Sequence, residues 1–157
     1  MFTKNNNSHS GEPLNILLIG NNPIDMSGII DKIKQIRGRK VVTEIAFDLK
    51  SIVERLMSFR PNFIVIDDNI GKVQLTETVQ TLSTRNRTKN IPITVLKNSN
   101  YEESGPAAGF FDYILKTNLS GESLFSTLRN SSKFRKTQQL LFRSYNRRRG
   151  LLNRLQT

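Results

Sequence analysis

The chain has 157 residues, a formal net charge of +11, one His and neither Cys nor Trp. This length predicts one compact domain with a short appendage. The lack of Cys excludes disulfides, thiolate nucleophiles and cysteine-ligated metals, and the lone His9, in a polar arm, argues against histidine triads and histidine-clustered metal sites. No apolar run reaches the roughly 20 residues that span a bilayer, and the first residues lack the apolar stretch of a signal peptide, so we expect a cytoplasmic protein.

The positive charge lies mostly at the carboxyl end of the chain. Residues 131–157 hold eight basic and no acidic side chains, whereas residues 13–130 hold 15 basic and 12 acidic ones. Such an asymmetry sometimes marks a nucleic-acid or membrane contact, but we favour a solvated helical linker. We predict a flexible arm over 1–13, a domain over 14–132 and a basic helical extension over 133–157 that leads to an output domain beyond this sequence.

Short apolar runs alternate with helical periodicity between residues 14 and 130. The predicted strands are 14–19, 41–47, 63–66, 91–96 and 110–115. The predicted helices start after Asn22-Pro23, after Asp48 and after Ser120, with a weaker one through Leu75, Val79 and Leu82. The second helix is predicted to carry an apolar stripe of Leu49, Ile52, Val53, Leu56 and Met57. The connection from 98 to 108 contains Gly105-Pro106 and is expected to be short or irregular.

Alternating strands and helices predict a parallel, doubly wound sheet, because parallel neighbours need crossovers and both faces must be covered. Ligands of such sheets bind beyond the carboxyl ends of the strands. Asp67 follows one predicted strand and Lys116 follows another. A carboxylate can act as a nucleophile or metal ligand and an ammonium can hold a phosphoryl oxygen, so the pair indicates phosphate chemistry.

The stretches that follow these strands resemble a known family when taken together and in order. They are NILLIGNNP, Arg-Pro-Asn before FIVIDDNIG, IPITVL, and GFFDYILK followed by NLSGESL. They are similar to the receiver domain of two-component response regulators, over residues 14–132. The resemblance implies a flavodoxin-like sheet of order 2-1-3-4-5. It also implies Asp67 as phosphoacceptor and Mg²⁺ ligand, and Asn69 as a backbone ligand of the same ion. Lys116 would contact the phosphoryl group, and Tyr113 would be an aromatic switch residue.

Several positions depart from the pattern of that family. Gly20 and Asn21 replace its acidic pair, Lys97 replaces its Thr or Ser, and Thr117 replaces its Pro. Because divalent oxygen-ligand sites draw affinity from ligand charge, Mg²⁺ binding should be weak or absent. We therefore expect a pseudo-receiver in which Lys97 or Lys116 pairs with Asp67, and in which Lys97 takes the electrostatic role of the cation.

These features predict a non-enzymatic regulatory module of a phosphorelay, with Asp67 as the candidate phosphoacceptor. We expect no cofactor, except Mg²⁺ if the domain can still be phosphorylated. The expected partners are a histidine kinase, a phosphotransfer protein or a fused output domain. The alternative is a nucleic-acid-associated adaptor that uses the basic extension. That extension also leaves a homodimer open, since it places five apolar residues in a heptad frame: Phe134, Leu141, Tyr145, Leu152 and Leu155.

Overall fold

Five strands and the helices between them form the domain. The computed structural model describes residues 13–98 and 111–131. Its strands are β1 (Leu14–Ile19), β2 (Val41–Ala46), β3 (Phe63–Asp67), β4 (Ile93–Lys97) and β5 (Phe111–Leu115). Its helices are α1 (Pro23–Lys34), α2 (Leu49–Ser58), α3 (Lys72–Thr84) and α4, which is helical over 121–131. Short 3-10 turns follow β3 (Asp68–Ile70) and β5 (Lys116–Asn118).

The sheet is parallel throughout, in the order β2-β1-β3-β4-β5. The predicted flavodoxin-like, doubly wound architecture is therefore confirmed. The switch point lies between β1 and β3, because the chain leaves β1 for one edge of the sheet and returns through β3 toward the other. The predictions for the amino-terminal arm, for the connection before β5 and for the basic extension fall outside the described residues.

Side-chain caps set the helix starts that the sequence predicts. The Asn22 side chain accepts hydrogen bonds from the backbone N–H groups of Ile24 and Asp25 at the start of α1. Asp48 and Ser51 form a reciprocal capping box at α2. Ser120 and Ser123 cap each other in the same way at α4. These bonds satisfy amide donors that the first helical turn leaves unpaired.

The core has two layers, one on each face of the sheet. Leu14, Ile16 and Leu18 of β1 belong to the layer under α1 and α4, while Leu17 and Ile19 belong to the layer under α2 and α3. This alternation along one strand is the expected geometry of a sheet covered on both faces.

The apolar stripe predicted for α2 is only partly buried. Ile52 and Leu56 are buried, whereas Leu49, Val53 and Met57 are exposed. Val53 and Met57 each follow a buried residue by one position and so turn away from the sheet, while Leu49 is the first residue of the helix.

No helix within the described residues is long and apolar enough to cross a membrane.

Candidate functional site

Asp67 ends β3 at the carboxyl edge of the sheet and is fully buried. Four apolar residues of β3 precede it, and the chain then turns sharply into the 3-10 turn. Oδ1 of Asp67 caps that turn by accepting the Asn69 N–H at 3.0 Å. The strand therefore delivers one carboxylate into the dry interior at the place where ligands of this sheet type bind.

Lys116 is the cation that lies against this carboxylate. Its Nζ is 2.6 Å from Oδ1 of Asp67 and 3.7 Å from Oδ2 of Asp25 in the first turn of α1. Nζ makes no aligned hydrogen bond among the described residues, so the contact is an ion pair held by charge. Of the two lysines that the sequence allows as partners of Asp67, the structure brings Lys116 to it.

The two oxygens of Asp67 have different surroundings. Oδ1 receives the Asn69 N–H and the Lys116 ammonium, while Oδ2 is buried and has no hydrogen-bond partner among the described residues. Burial of a carboxylate oxygen without a hydrogen-bond donor costs free energy, and such unsatisfied atoms call for an explanation such as a catalytic or binding role. Oδ2 is thus the oxygen that could form a new bond.

A second layer of polar contacts ties three elements to the site. The Asn69 side chain donates to Oδ2 of Asp25 and accepts from the Asn98 side chain. The backbone N–H of Asn98 donates to Oδ2 of Asp68 at 3.3 Å. Burial raises the pKa of the Asp68 carboxyl, an effect that this hydrogen bond and then Lys116 oppose.

Gly20 is enclosed where the family pattern has an acid. A Cβ placed there would lie 3.1 Å from the Met26 side chain and 3.3 Å from Cβ of Asp67. Met26 and Asp67 therefore crowd this position, and any side chain there would require Met26 to shift slightly. Asn21, the next residue, is exposed and brings no charge.

Lys97 contacts Tyr113, not Asp67. Its Nζ lies 3.6 Å from the centroid of the Tyr113 ring, which is 41% exposed. An ammonium at this distance over an aromatic face is a cation–π contact. Burial of the phenol raises the pKa of Tyr113. Lys97 and Tyr113, which the sequence analysis assigned to separate roles, therefore contact each other. Lys97 forms no ion pair with Asp67 among the described residues, so the structure does not show it in the predicted electrostatic role of Mg²⁺.

The residues at this edge do not fit Mg²⁺. Hard cations need several anionic or carbonyl oxygens, and the acids that would join Asp67 are replaced by Gly20 and Asn21. Within the described part of the chain, no three acidic or histidine side chains converge on a metal-sized space. The Lys116 ammonium already lies within ion-pair distance of two carboxylates at this edge, those of Asp25 and Asp67.

Asp25 is the site residue that sequence reasoning missed. It is the third residue of α1, and it reaches both Lys116 and Asn69. Its position in the sequence could have indicated this role, because the first turn of the helix that follows β1 lies at the same edge of the sheet as the carboxyl end of β3.

The comparisons with known proteins bear on the fold of the chain. No protein-family model and no curated protein matches the chain. Among solved structures, the chemotaxis response regulator CheY4 of Vibrio cholerae is 18% identical, with a TM-score of 0.60 over 76% of this chain and 99% of that one. The receiver domain of a sensor histidine kinase of Pseudomonas aeruginosa, with magnesium in its active-site cleft, is 18% identical, with a TM-score of 0.64 over 78% of this chain and 99% of that one.

A third similar structure is the manganese-bound response regulator Rcp1, 22% identical, with a TM-score of 0.54 over 75% of this chain and 91% of that one. These similarities establish that the chain has the fold of response-regulator receiver domains. The resemblance drawn from the sequence is confirmed at the level of the fold.

Proposed function

We propose that this chain is a cytoplasmic, receiver-like regulatory module of a two-component phosphorelay whose central ion pair forms without a metal ion. The observation that carries the proposal is the Lys116 ammonium, 2.6 Å from a fully buried Asp67 and 3.7 Å from Asp25. One monovalent side-chain cation there offsets the negative charge that Mg²⁺ offsets in metal-binding members of the fold.

Asp67 is the phosphoacceptor position in this proposal. Its Oδ2 has no hydrogen-bond partner among the described residues, so we expect this oxygen to be the one that bonds to phosphorus. Because the carboxylate is buried, a phosphoryl donor reaches it only when neighbouring side chains move. We therefore expect any phosphorylation to be slow and indifferent to Mg²⁺, and the module to act mainly by contact with a histidine kinase, a phosphotransfer protein or an output domain.

Acetyl phosphate labelling tests the metal-free site. The protein is incubated with acetyl phosphate in Mg²⁺ or in EDTA, and its intact mass is followed, with Asp67→Asn as the control. The expected result is the same mass distribution in both conditions. A gain of one phosphoryl group that requires Mg²⁺ and disappears in Asp67→Asn would make the chain a conventional receiver and would refute the metal-free site.

Amide NMR spectra give an independent readout of the same question. Addition of Mg²⁺ with beryllofluoride at millimolar concentration should leave the resonances of Asp67, Asp68 and Asn69 unshifted. Shifts confined to these residues would show that the cation and the phosphoryl mimic bind together.

The regulatory half of the proposal concerns partners. Cross-linking of the tagged chain in its own cells, followed by mass spectrometry, should recover a signalling histidine kinase, phosphotransfer protein or output domain. Recovery of metabolic enzymes alone would contradict a regulatory role.

A further inference from the structure

The loops at the amino edge of the sheet, opposite Asp67, concentrate the positive charge of the described residues. They are the loops before β2 (35–40), β3 (59–62) and β4 (85–92), which lie at one edge because the strands are parallel. These loops hold seven of the 15 basic residues in the described part and none of its ten acidic ones. The seven are Arg37, Arg39, Lys40, Arg60, Arg85, Arg87 and Lys89.

Four of the seven cations make no ion pair among the described residues, although Glu122 lines one recess together with Arg37. Among the described residues, no acidic side chain lies within ion-pair distance of Arg37, Lys40, Arg60 or Arg85, and all four are exposed. Clustered like charges repel one another and create a potential that attracts polyanions. We call this set of three loops the basic edge.

The backbone of the basic edge is held in place by hydrogen bonds. Asn62 accepts the Asn15 N–H with its side chain and donates its own N–H to the Asn15 carbonyl. In the third loop, the buried Thr88 hydroxyl donates to the Leu82 carbonyl at 2.6 Å. Cations on a fixed backbone lose less conformational entropy when a ligand binds than cations on a mobile loop.

A cavity of about 430 Å³ opens between two of these loops. Its walls are apolar, and two arginines flank it: it is lined by Leu56, Phe59, Arg60, Pro61, Arg87 and Ile91. Arg87 is oriented by donating to the Leu56 carbonyl at 3.4 Å. An apolar recess beside guanidinium groups suits a flat, weakly polar ring attached to a phosphate.

We propose that the basic edge binds single-stranded nucleic acid, with phosphates on the exposed arginines and one unpaired base in the Arg60–Arg87 cavity. Three inter-strand spacings separate β2 from β4, so the cations extend over about 14 Å, a length that several phosphates of a strand occupy. This inference uses residues remote from Asp67 and does not depend on the proposed function.

The observations favour a nucleic-acid strand over a membrane or a protein. The exposed large apolar side chains of the described residues are Ile24, Phe47, Leu49, Val53, Met57, Val73 and Tyr113, and none of them lies in the basic edge. Insertion into lipid relies on such side chains. Protein–protein hot spots are enriched in Trp, Tyr and Arg, and of these three the basic edge has only Arg. A duplex keeps its bases stacked and would leave the cavity unfilled.

Fluorescence anisotropy with labelled 15-nucleotide oligo(dT) and oligo(rU) tests the proposal on the full chain over a range of salt concentrations. The variant Arg60→Gln/Arg85→Gln removes two phosphate contacts, and Lys50→Gln/Lys72→Gln is a control with the same charge change at the starts of α2 and α3. At about 0.7 per phosphate contact, the salt slope should fall by about 1.4 in the arginine variant and stay unchanged in the control. If both proteins bind equally at 1 M salt, this difference in slope makes the arginine variant bind about 25-fold more weakly than the parent at 0.1 M salt.

An abasic oligonucleotide with the same number of phosphates tests the cavity. It should bind about fivefold or more weakly than oligo(dT), the loss expected for one stacked base. Equal binding of abasic and normal strands, a duplex bound as tightly as the single strand, or an unchanged slope in Arg60→Gln/Arg85→Gln would each overturn the proposal. Binding to phosphatidylglycerol vesicles with the same arginine dependence, and none to oligonucleotides, would replace it with a membrane surface.

Discussion

Removal of Lys116 measures how strongly the buried ion pair is held. In Lys116→Met, the Asp67 carboxylate loses a cation at 2.6 Å while it stays shielded from water. Two unit charges at 2.6 Å attract by about 6 kcal/mol at an effective dielectric constant of 20. Part of this attraction is offset by the cost of desolvating both groups in the folded protein.

The expected net loss in the free energy of unfolding is about 3 kcal/mol, the lower end of the range for breaking a buried pair. The lower end applies because 18% of the Lys116 side chain is exposed, so water can enter the space that it leaves. Urea unfolding at pH 7, followed by circular dichroism, measures this loss. A domain of this size has only about 5–15 kcal/mol of stability, so the midpoint should fall clearly.

The double variant Asp67→Asn/Lys116→Met is the matched control. It removes both charges, so no unpaired carboxylate remains in the interior and the variant should be more stable than Lys116→Met alone. A loss below about 1 kcal/mol in Lys116→Met, the value typical of exposed pairs, would refute the buried pair. So would a double variant less stable than Lys116→Met.

Three further predictions concern glycines and carboxylates. Gly121→Ala should lower the free energy of unfolding by about 1–3 kcal/mol, because its Cβ would lie 2.8 Å from the Gln35 backbone. Gly28→Ala in α1, where a Cβ would meet open space, should raise the free energy of unfolding by about 0.5–1 kcal/mol. Equal effects of the two variants in urea unfolding would contradict the packing at Gly121. Burial raises the pKa of Asp68 above the ordinary 3.8, so this carboxyl favours folding most below pH 3.8 and loses that contribution as pH rises through its folded pKa. Asp68→Asn should therefore be more stable than the parent at pH 7 and lose that advantage below pH 3.8, and an advantage that is the same at every pH would count against this reasoning. Hydrogen bonds from Ser51 lower the pKa of Asp48 below 3.8, so the contribution of this carboxylate to folding stability is present above pH 3.8 and is lost as pH falls through the folded pKa. Asp48→Asn should therefore show a smaller fall of the urea midpoint on the acid side than the parent.

The sequence determined the order of the elements and the helix caps. Apolar runs and helical stripes are local patterns, and a cap such as Asp48 with Ser51 needs only residues three positions apart. Parallel strand order then placed Asp67 and Lys116 at one edge, since the carboxyl ends of parallel strands meet there. The resemblance to receiver domains added the strand order, which local patterns do not contain.

Tertiary structure decided which of the nearby charges meet. Lys97 and Lys116 both follow strands at the same edge, and only the packed side chains show that one reaches Asp67 while the other covers Tyr113. The part that Asp25 plays also depends on the distance between α1 and β5, which separate stretches of the sequence do not specify. Likewise, the distribution of charge along the sequence located the basic extension, but only the sheet topology brings Arg37, Arg60 and Arg85 to one edge. Charges in distant loops become neighbours only when the strands pair.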